Sequence, residues 1–386
     1  LPVIRRPSPA LRLALAGATA QGAAVGVGRF VYTPILPTMM SDLGLNASQA
    51  GWIASANFLG YLFGALLATH AHFRRAPRLW LLAALALSAT TTAGMGLTTS
   101  MALFMGLRAV GGIASAFVIV FASVVVLARL SAAGRGGLSA VHFAGVGTFI
   151  ALSALLTAAM TGAGLHWRAE WLASGALSAL AILAVLALLP ADQEAAAETT
   201  PIDAAAPERE GAGSLMLAYG LFGFGYVVTA TFIVAIVKTY PAAHPVEPFV
   251  WLLVGLSAIP SVALWTLAGE RIGMRRAFAV ACVVEAVGVA VSVLSPTAAG
   301  AAAAAILLGG TYMGITALGL VAARQADPLN APRILGRMTA AFALGQMIGP
   351  AFAGWLAERL GGFGSASLIA SGALLLSAAL TFRRIR

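Results

Sequence analysis

Two arginines set the chemical question. Arg29 and Arg108 each stand inside a long apolar run, where a charge is costly and normally faces a cavity or a partner. A guanidinium carries a planar fork of donors that matches a carboxylate. Asn57 lies in another such run. Two guanidiniums and an amide at one level would make an anion clamp; the alternative is that one or both arginines bond backbone carbonyls and are structural. Proton chemistry has two candidates. Glu285 is read as the one carboxylate deep in an apolar run, and an intramembrane acid is by default functional, though a structural hydrogen bond accounts for it equally well. His142 titrates in a range that suits a switch, with a packed, singly bonded histidine as the alternative. A third route needs neither, since an anionic substrate can bring its own proton.

Other chemistries are excluded. The lone Cys282 rules out a disulfide framework and a thiolate metal site. The five His lack metalloprotease spacing and no GxxxxGK[ST] loop exists, so neither a metal nor another cofactor is expected and ATP has no engine here.

The elements that position these residues follow from composition. The chain is 60% hydrophobic and 9% charged, against about 25% charged in soluble domains. Apolar stretches of the length that crosses a bilayer, about 20 residues, recur throughout. They predict helices at 11–38, 48–70, 77–97, 101–128, 137–163, 169–189, 214–240, 248–268, 276–295, 298–323, 335–357 and 364–383. The first run is too long for a signal h-region. Residues 190–213 are polar, acidic and rich in Ala and Pro, which predicts a flexible linker. It divides the chain into an N-terminal six-helix bundle, 1–189, and a C-terminal six-helix bundle, 214–386.

Basic residues set the orientation. With a cytoplasmic N-terminus, the inner segments hold most of the arginines, from Arg5, Arg6 and Arg12 to Arg383, Arg384 and Arg386, while the outer loops hold only Arg168, Lys238 and Arg359. Both termini are therefore expected in the cytoplasm. The net charge of +10 matches anionic lipid headgroups rather than nucleic acid. Tryptophans near helix ends, among them Trp52, Trp167, Trp171, Trp251 and Trp355, predict an interfacial belt.

The halves repeat weakly. Gly26-Val-Gly28-Arg29 answers Gly223-Phe-Gly225-Tyr226, Trp52 answers Trp251, and Gly145 answers Gly345, all at an offset near 200 residues. Parallel repeats about an axis along the membrane normal mark transporters, with the substrate between the halves.

Several motifs carry a resemblance. Gly269-Glu270-Arg271-Ile272-Gly273-Met274-Arg275-Arg276 resembles the cytoplasmic loop motif of the major facilitator superfamily, with Glu in place of the usual Asp. A glycine turn with an acid and an arginine forms a charge latch that can hold one conformation. The first-half counterpart, His70-Ala-His72-Phe-Arg74-Arg75, has lost the glycine and the acid. Arg108-Ala-Val-Gly111-Gly112 resembles the helix 4 motif. Gly345-Gln-Met-Ile-Gly349-Pro350-Ala-Phe-Ala-Gly354 resembles a glycine–proline motif better known from helix 5 of exporters; Pro350 removes a helical hydrogen bond and the glycines allow close approach. Gly28-Arg29-Phe30-Val31-Tyr32-Thr33-Pro34-Ile35-Leu36-Pro37, Trp167-Arg-Ala-Glu-Trp171 and Gly309-Gly-Thr-Tyr-Met-Gly-Ile-Thr are similar to the YbfB/YjiJ-like branch of that superfamily, over nearly the whole chain.

The resemblance implies an all-α membrane protein of twelve transmembrane helices in two bundles, lodged in the bacterial inner membrane. It also implies a cavity lined by helices 1, 4, 7 and 10, with 2, 5, 8 and 11 beside them. At 1.5 Å per residue, Arg29, Asn57 and Arg108 lie roughly 12–14 Å below the outer ends of their helices. Tyr32 and Tyr61 join them as candidates, faced by Tyr226, Thr229, Tyr312 and Gln346. The expected activity is secondary transport of a small organic anion by alternating access, coupled to protons, by a monomer. Efflux of hydrophobic drugs is the rival within transport, though exporters of that kind usually carry an acid in helix 1 or 4. A membrane-embedded enzyme would need clustered His and acids, which the spans lack.

Overall fold

The computed structural model describes residues 8–189, 212–327 and 331–382. The linker expected at 190–213 lies outside these residues except for its last two, which already belong to a helix. Arg5, Arg6, Arg209, Arg383, Arg384 and Arg386 also lie outside.

Every regular element among the described residues is helical. Eleven helices are long and apolar enough to cross a membrane: α1 (Pro9–Leu43), α2 (Ala47–Leu67), α4 (Met101–Ala132), α5 (Gly136–Gly162), α6 (Trp167–Leu188), α7 (Gly213–Lys238), α8 (Glu247–Ile272), α9 (Met274–Leu294), α10 (Ala298–Ala326), α11 (Arg333–Leu360) and α12 (Gly364–Phe382). Helix α3 (Pro77–Met95) is less apolar, since Arg78 and the hydroxyl residues Ser88, Thr90, Thr91 and Thr92 interrupt it. The threonines are satisfied internally: Thr90, Thr91 and Thr92 donate to Ala86, Leu87 and Ser88 carbonyls at 3.0, 2.8 and 2.7 Å.

The ends have local causes. Asn46 and Gln49 form a reciprocal capping box that starts α2. Gly44 closes α1 in the left-handed conformation, φ +63°. Helix α1 runs five residues past its expected end because it is two helices in series. An α-helix, Pro9–Gln21, passes into a π-helix, Gly22–Val27, and turns at 28–31. A second α-helix, Tyr32–Leu43, follows. Pro34 falls in its first turn, where the missing N–H forfeits no bond.

Helices α1–α6 pack mainly on one another, as do α7–α12, and the halves meet along α2–α11, α5–α8 and α1–α7. Glycines bring the seams together. The backbones of Gly147 and Gly255 touch, and a Cβ on Gly147 would stand 2.6 Å from the Ile259 nitrogen. A Cβ on Gly51 would strike the Pro350 carbonyl, and one on Gly354 that of Ala47. Such contacts gain dispersion energy that lipid cannot match.

Loops gather at two ends. At the far end, opposite Ser8, Asp42 meets His166 at 3.4 Å and Asn46 reaches Glu358 at 3.3 Å. Nearby, the Thr33 hydroxyl donates to the Ala230 carbonyl at 2.7 Å, tying α1 to α7.

The expected tryptophan belt is corrected in part. Trp52 and Trp355 are 55% and 45% exposed. Trp167, Trp171 and Trp251 are buried, packed on Phe104, on Tyr32 and Met39, and on Phe30 respectively.

Candidate functional site

The site grows from the break in α1. Where the helix turns at 28–31, the Gly28 and Arg29 carbonyls leave the helical ladder. Arg108, on α4, takes both: Nη1 donates to the Gly28 oxygen at 2.9 Å and Nη2 to the Arg29 oxygen at 2.8 Å. Its guanidinium carbon stands 5.2 Å from the centre of the Tyr32 ring. Asn57 completes the splice by donating to the Arg108 carbonyl at 2.9 Å. Gly112 makes room, since a Cβ there would strike the Asn57 carbonyl. Tyr32 is engaged with the Ala50 carbonyl at 2.9 Å.

Arg29 is placed differently. One terminal nitrogen donates to the Ser115 hydroxyl at 3.0 Å. Its guanidinium carbon lies 4.2 Å from the centre of the Tyr61 ring and 5.6 Å from that of Phe58. Its Nε is buried without a partner. Among the described residues, neither arginine pairs with a carboxylate.

The second half supplies an aromatic wall. Tyr226 (α7) and Tyr312 (α10) stack nearly parallel, centroids 5.7 Å apart and planes 9° from each other. Phe342 stacks on Tyr226 at 5.8 Å, and the Gln346 amide donates to the Tyr226 hydroxyl. Phe30, next to Arg29, presents an edge contact to Tyr312 at 6.0 Å and a tilted one to Trp251 at 6.3 Å. The charge on Arg29 reaches both tyrosines. The Tyr312 hydroxyl, Thr229 hydroxyl and Gln346 carbonyl oxygen are buried without partners. A buried orphan of this kind costs roughly 1–3 kcal/mol.

The structure thus brings Arg29, Tyr61, Tyr226, Tyr312 and Gln346 together. It sets Arg108, Asn57 and Tyr32 one layer back, on backbone. Sequence reasoning missed Phe30, Phe58, Ser115 and Phe342. Ser115 lies seven residues after Arg108, two turns along one helix face, which was a usable signal. The aromatics carried none.

Glu285 is fully buried in α9 and neither carboxyl oxygen has a hydrogen bond. It sits beside Thr311, whose hydroxyl is given to the Leu307 carbonyl at 2.6 Å. Tyr226 and Tyr312 lie within its electrostatic reach. Glu285 is not alone in depth. Glu170, at the start of α6, is also fully buried and accepts from the Thr161 hydroxyl at 2.5 Å. The expectation that Glu285 is the one deep carboxylate is thereby corrected. His142 is buried with Nε2 3.3 Å from the Gln21 amide nitrogen and Nδ1 unpartnered. Its ring fills the space a side chain at Gly17 would need.

At the expected latch, Gly273 forms the one-residue turn between α8 and α9, φ +91°. Only glycine takes that conformation cheaply. A Cβ at Gly269 would stand 2.5 Å from the Met274 sulfur. Glu270, Arg271 and Arg276 are exposed, Arg275 half-buried, and Glu270 makes no ion pair among the described residues. In α11, Gly345 abuts the Gly220 carbonyl and Gly349 lies 2.6 Å, as a Cβ, from a Val227 methyl. Pro350 and Gly354 face α2 instead. The Ala351 N–H, just past Pro350, donates across the seam to Ser55 at 3.0 Å. Helix α11 therefore binds α7 with one stretch and α2 with the next.

A chain of long apolar helices whose halves meet on glycine seams around a buried arginine–aromatic site is a multi-pass membrane transporter of the major facilitator class. It belongs to the family described as uncharacterised MFS-type transporter YbfB, whose pattern it matches over residues 22–382. Solved structures agree in fold. The nucleoside transporter NupG superposes with a TM-score of 0.73 at 17% identity, covering 97% of this chain and 99% of that one. A bacterial homologue of the human lysosomal transporter Spinster, inward-facing and occupied, gives 0.73 at 12% identity, over 98% and 97%. A chloramphenicol resistance protein of Streptomyces lividans is 31% identical over 179 residues, 46% of this chain and 45% of that protein. The chain thus matches less than half the length of that curated relative.

Proposed function

We propose that this protein carries a small organic anion across the bacterial inner membrane by alternating access, with Arg29 as the group that binds the anionic end. One observation carries the reading. Arg29 is a buried guanidinium with no carboxylate partner among the described residues, one nitrogen unbonded, and ring faces on two sides. An uncompensated buried charge is expensive, and an anionic ligand relieves it. Arg108 serves as a positioning residue for Arg29, because its fork is occupied by backbone.

On this reading α3 is the twelfth span, the linker divides two six-helix bundles, both termini are cytoplasmic and the far end is the outer face. The bonds Thr33–Ala230 and Asn46–Glu358 then close the outer mouth. A single chain holds the whole pathway. Glu285 is the proton-coupling residue we favour over His142, since its two bare oxygens sit near Tyr226 and Tyr312, which also feel Arg29.

The test is a thermal-shift screen of the purified full chain against organic acids and lipophilic cations. Carboxylates should stabilise the wild type and fail to stabilise Arg29→Gln. Stabilisation by lipophilic cations alone would refute the anion reading.

A second reading is efflux of hydrophobic drugs. The Streptomyces relative and the ring-lined walls of Phe30, Phe58, Tyr61 and Tyr312 favour it. Chloramphenicol, an uncharged drug, should then stabilise the wild type and Arg29→Gln equally.

A further inference from the structure

We infer that the anion is a planar aromatic monocarboxylate carrying a hydroxyl at the end away from its acid group. The inference rests on the anion reading above and adds the substrate class. Three features of the site converge on it.

The first is the neighbourhood of Arg29. Its guanidinium lies 4.2 Å from the Tyr61 ring centre and 5.6 Å from that of Phe58. The next residue, Phe30, leads by an edge contact of 6.0 Å to Tyr312. The body of a ligand whose carboxylate reaches Arg29 therefore meets ring faces and edges. A flat ring gains offset-stacked and edge contacts there. A flexible aliphatic chain has fewer such contacts and loses more rotamer freedom on binding.

The second is the set of orphans on the opposite wall. The Tyr312 hydroxyl, the Thr229 hydroxyl and one end of the Gln346 carboxamide are buried without partners, while the other end of that amide is fixed on Tyr226. Buried polar groups in native proteins are otherwise nearly all bonded. A ligand hydroxyl both donates and accepts, so it satisfies Tyr312 and Gln346 whichever way the amide is turned.

The third is the distribution of charge. Arg108 is occupied by the Gly28 and Arg29 carbonyls, and no other arginine or lysine is among the buried residues described. One carboxylate is matched and a second is not. Glu285, near the tyrosine pair, would repel it further.

The experiment uses the full chain in detergent and three probes: 4-hydroxybenzoate, benzoate and cyclohexanecarboxylate. Binding is read by thermal shift and by titration calorimetry. In the wild type, 4-hydroxybenzoate should bind at least roughly tenfold more tightly than benzoate, because a site built to bond a hydroxyl rejects the analogue lacking it. Cyclohexanecarboxylate should bind most weakly. Tyr312→Phe removes a hydroxyl that has no bond to lose, so its melting midpoint without ligand should not fall. Its preference for 4-hydroxybenzoate over benzoate should shrink toward one. Arg29→Lys keeps the charge but not the fork and should weaken both aromatic acids.

Equal wild-type affinity for the two benzoates, or an unchanged preference in Tyr312→Phe, overturns the inference and leaves the anion reading standing. Cyclohexanecarboxylate binding as tightly as benzoate overturns the planar requirement. Failure of all three acids to bind overturns the inference and leaves the anion reading to the wider acid screen; binding of the aromatic acids unaltered in Arg29→Gln overturns the anion reading itself.

Discussion

Arg108 grips the carbonyls of Gly28 and Arg29 at 2.9 and 2.8 Å, so one buried arginine holds open the helix break that presents the other. The fork is satisfied by two oxygens that the turn in α1 released. This relationship separates two residues that look equivalent in the sequence and gives each a distinct mutant signature.

Arg108→Gln should act on stability first. Two buried carbonyls lose charge-assisted bonds, at roughly 1.5–3 kcal/mol each before relaxation. The melting midpoint in detergent should drop clearly, and Arg108→Lys should recover only part of it, because an ammonium lacks the two-pronged geometry. Arg29→Gln should melt near the wild-type temperature or above it, since it removes an unpaired buried charge. A midpoint unchanged by Arg108→Gln would contradict the splice.

Glu285→Gln should leave the fold at least as stable as the wild type, because no hydrogen bond to its carboxyl is lost. In proteoliposomes loaded with a carboxylate found by the screen, uptake driven by an imposed pH gradient should vanish, while substrate exchange at equal pH continues. His142→Gln should retain the pH-driven component. Persistence of pH-driven uptake in Glu285→Gln would exclude this carboxyl as the coupling site and favour a substrate that carries its own proton.

Gly147→Val should disrupt assembly of the halves. Its Cβ alone would lie 2.6 Å from the Ile259 nitrogen and 2.7 Å from the Gly255 carbonyl, so the α5–α8 seam has to part. Gel filtration and limited proteolysis should show aggregation or faster cleavage. Gly162→Val, where nothing lies within 4 Å of the added Cβ, is the matched control. Similar behaviour of the two variants would rule out seam contact as the cause.

Thr33→Val should loosen the far end. It removes the bond to the Ala230 carbonyl, worth about 1 kcal/mol and so roughly fivefold in the equilibrium between closed and open forms. A cysteine in place of the buried Met39, introduced with Cys282→Ser, should react several-fold faster with a membrane-impermeant maleimide in Thr33→Val than in its absence. Unaltered labelling would show that this bond does not hold the mouth shut.

Much of the architecture was legible because the bilayer is a one-dimensional constraint. Apolar run length and the punctuation of Gly, Pro and Asn located the helices to within about five residues, and Gly273 was recognisable as a turn through the loop motif it belongs to. Helix α3 is less apolar than the other long helices because Arg78 and its threonines interrupt it, though the threonines bond within the helix, which composition cannot register. Glu170 was passed over because it lies near a helix end, where burial depends on packing from distant segments. Trp171 and Trp251 were misplaced for the same reason: Tyr32, Met39 and Phe30 of α1 bury them.

Hydropathy in the chain itself determined that it is a helical membrane protein, the resemblance of its motifs pointed to a transporter, and helix rise placed Arg29, Asn57 and Arg108 near one depth. Which arginine's fork is taken up by backbone was decided only by folding. That choice depends on where α1 breaks, which carbonyls the break releases, and which guanidinium the α2–α4 contact brings within reach of them. Those are distances between segments some 80 residues apart, and no local pattern encodes them.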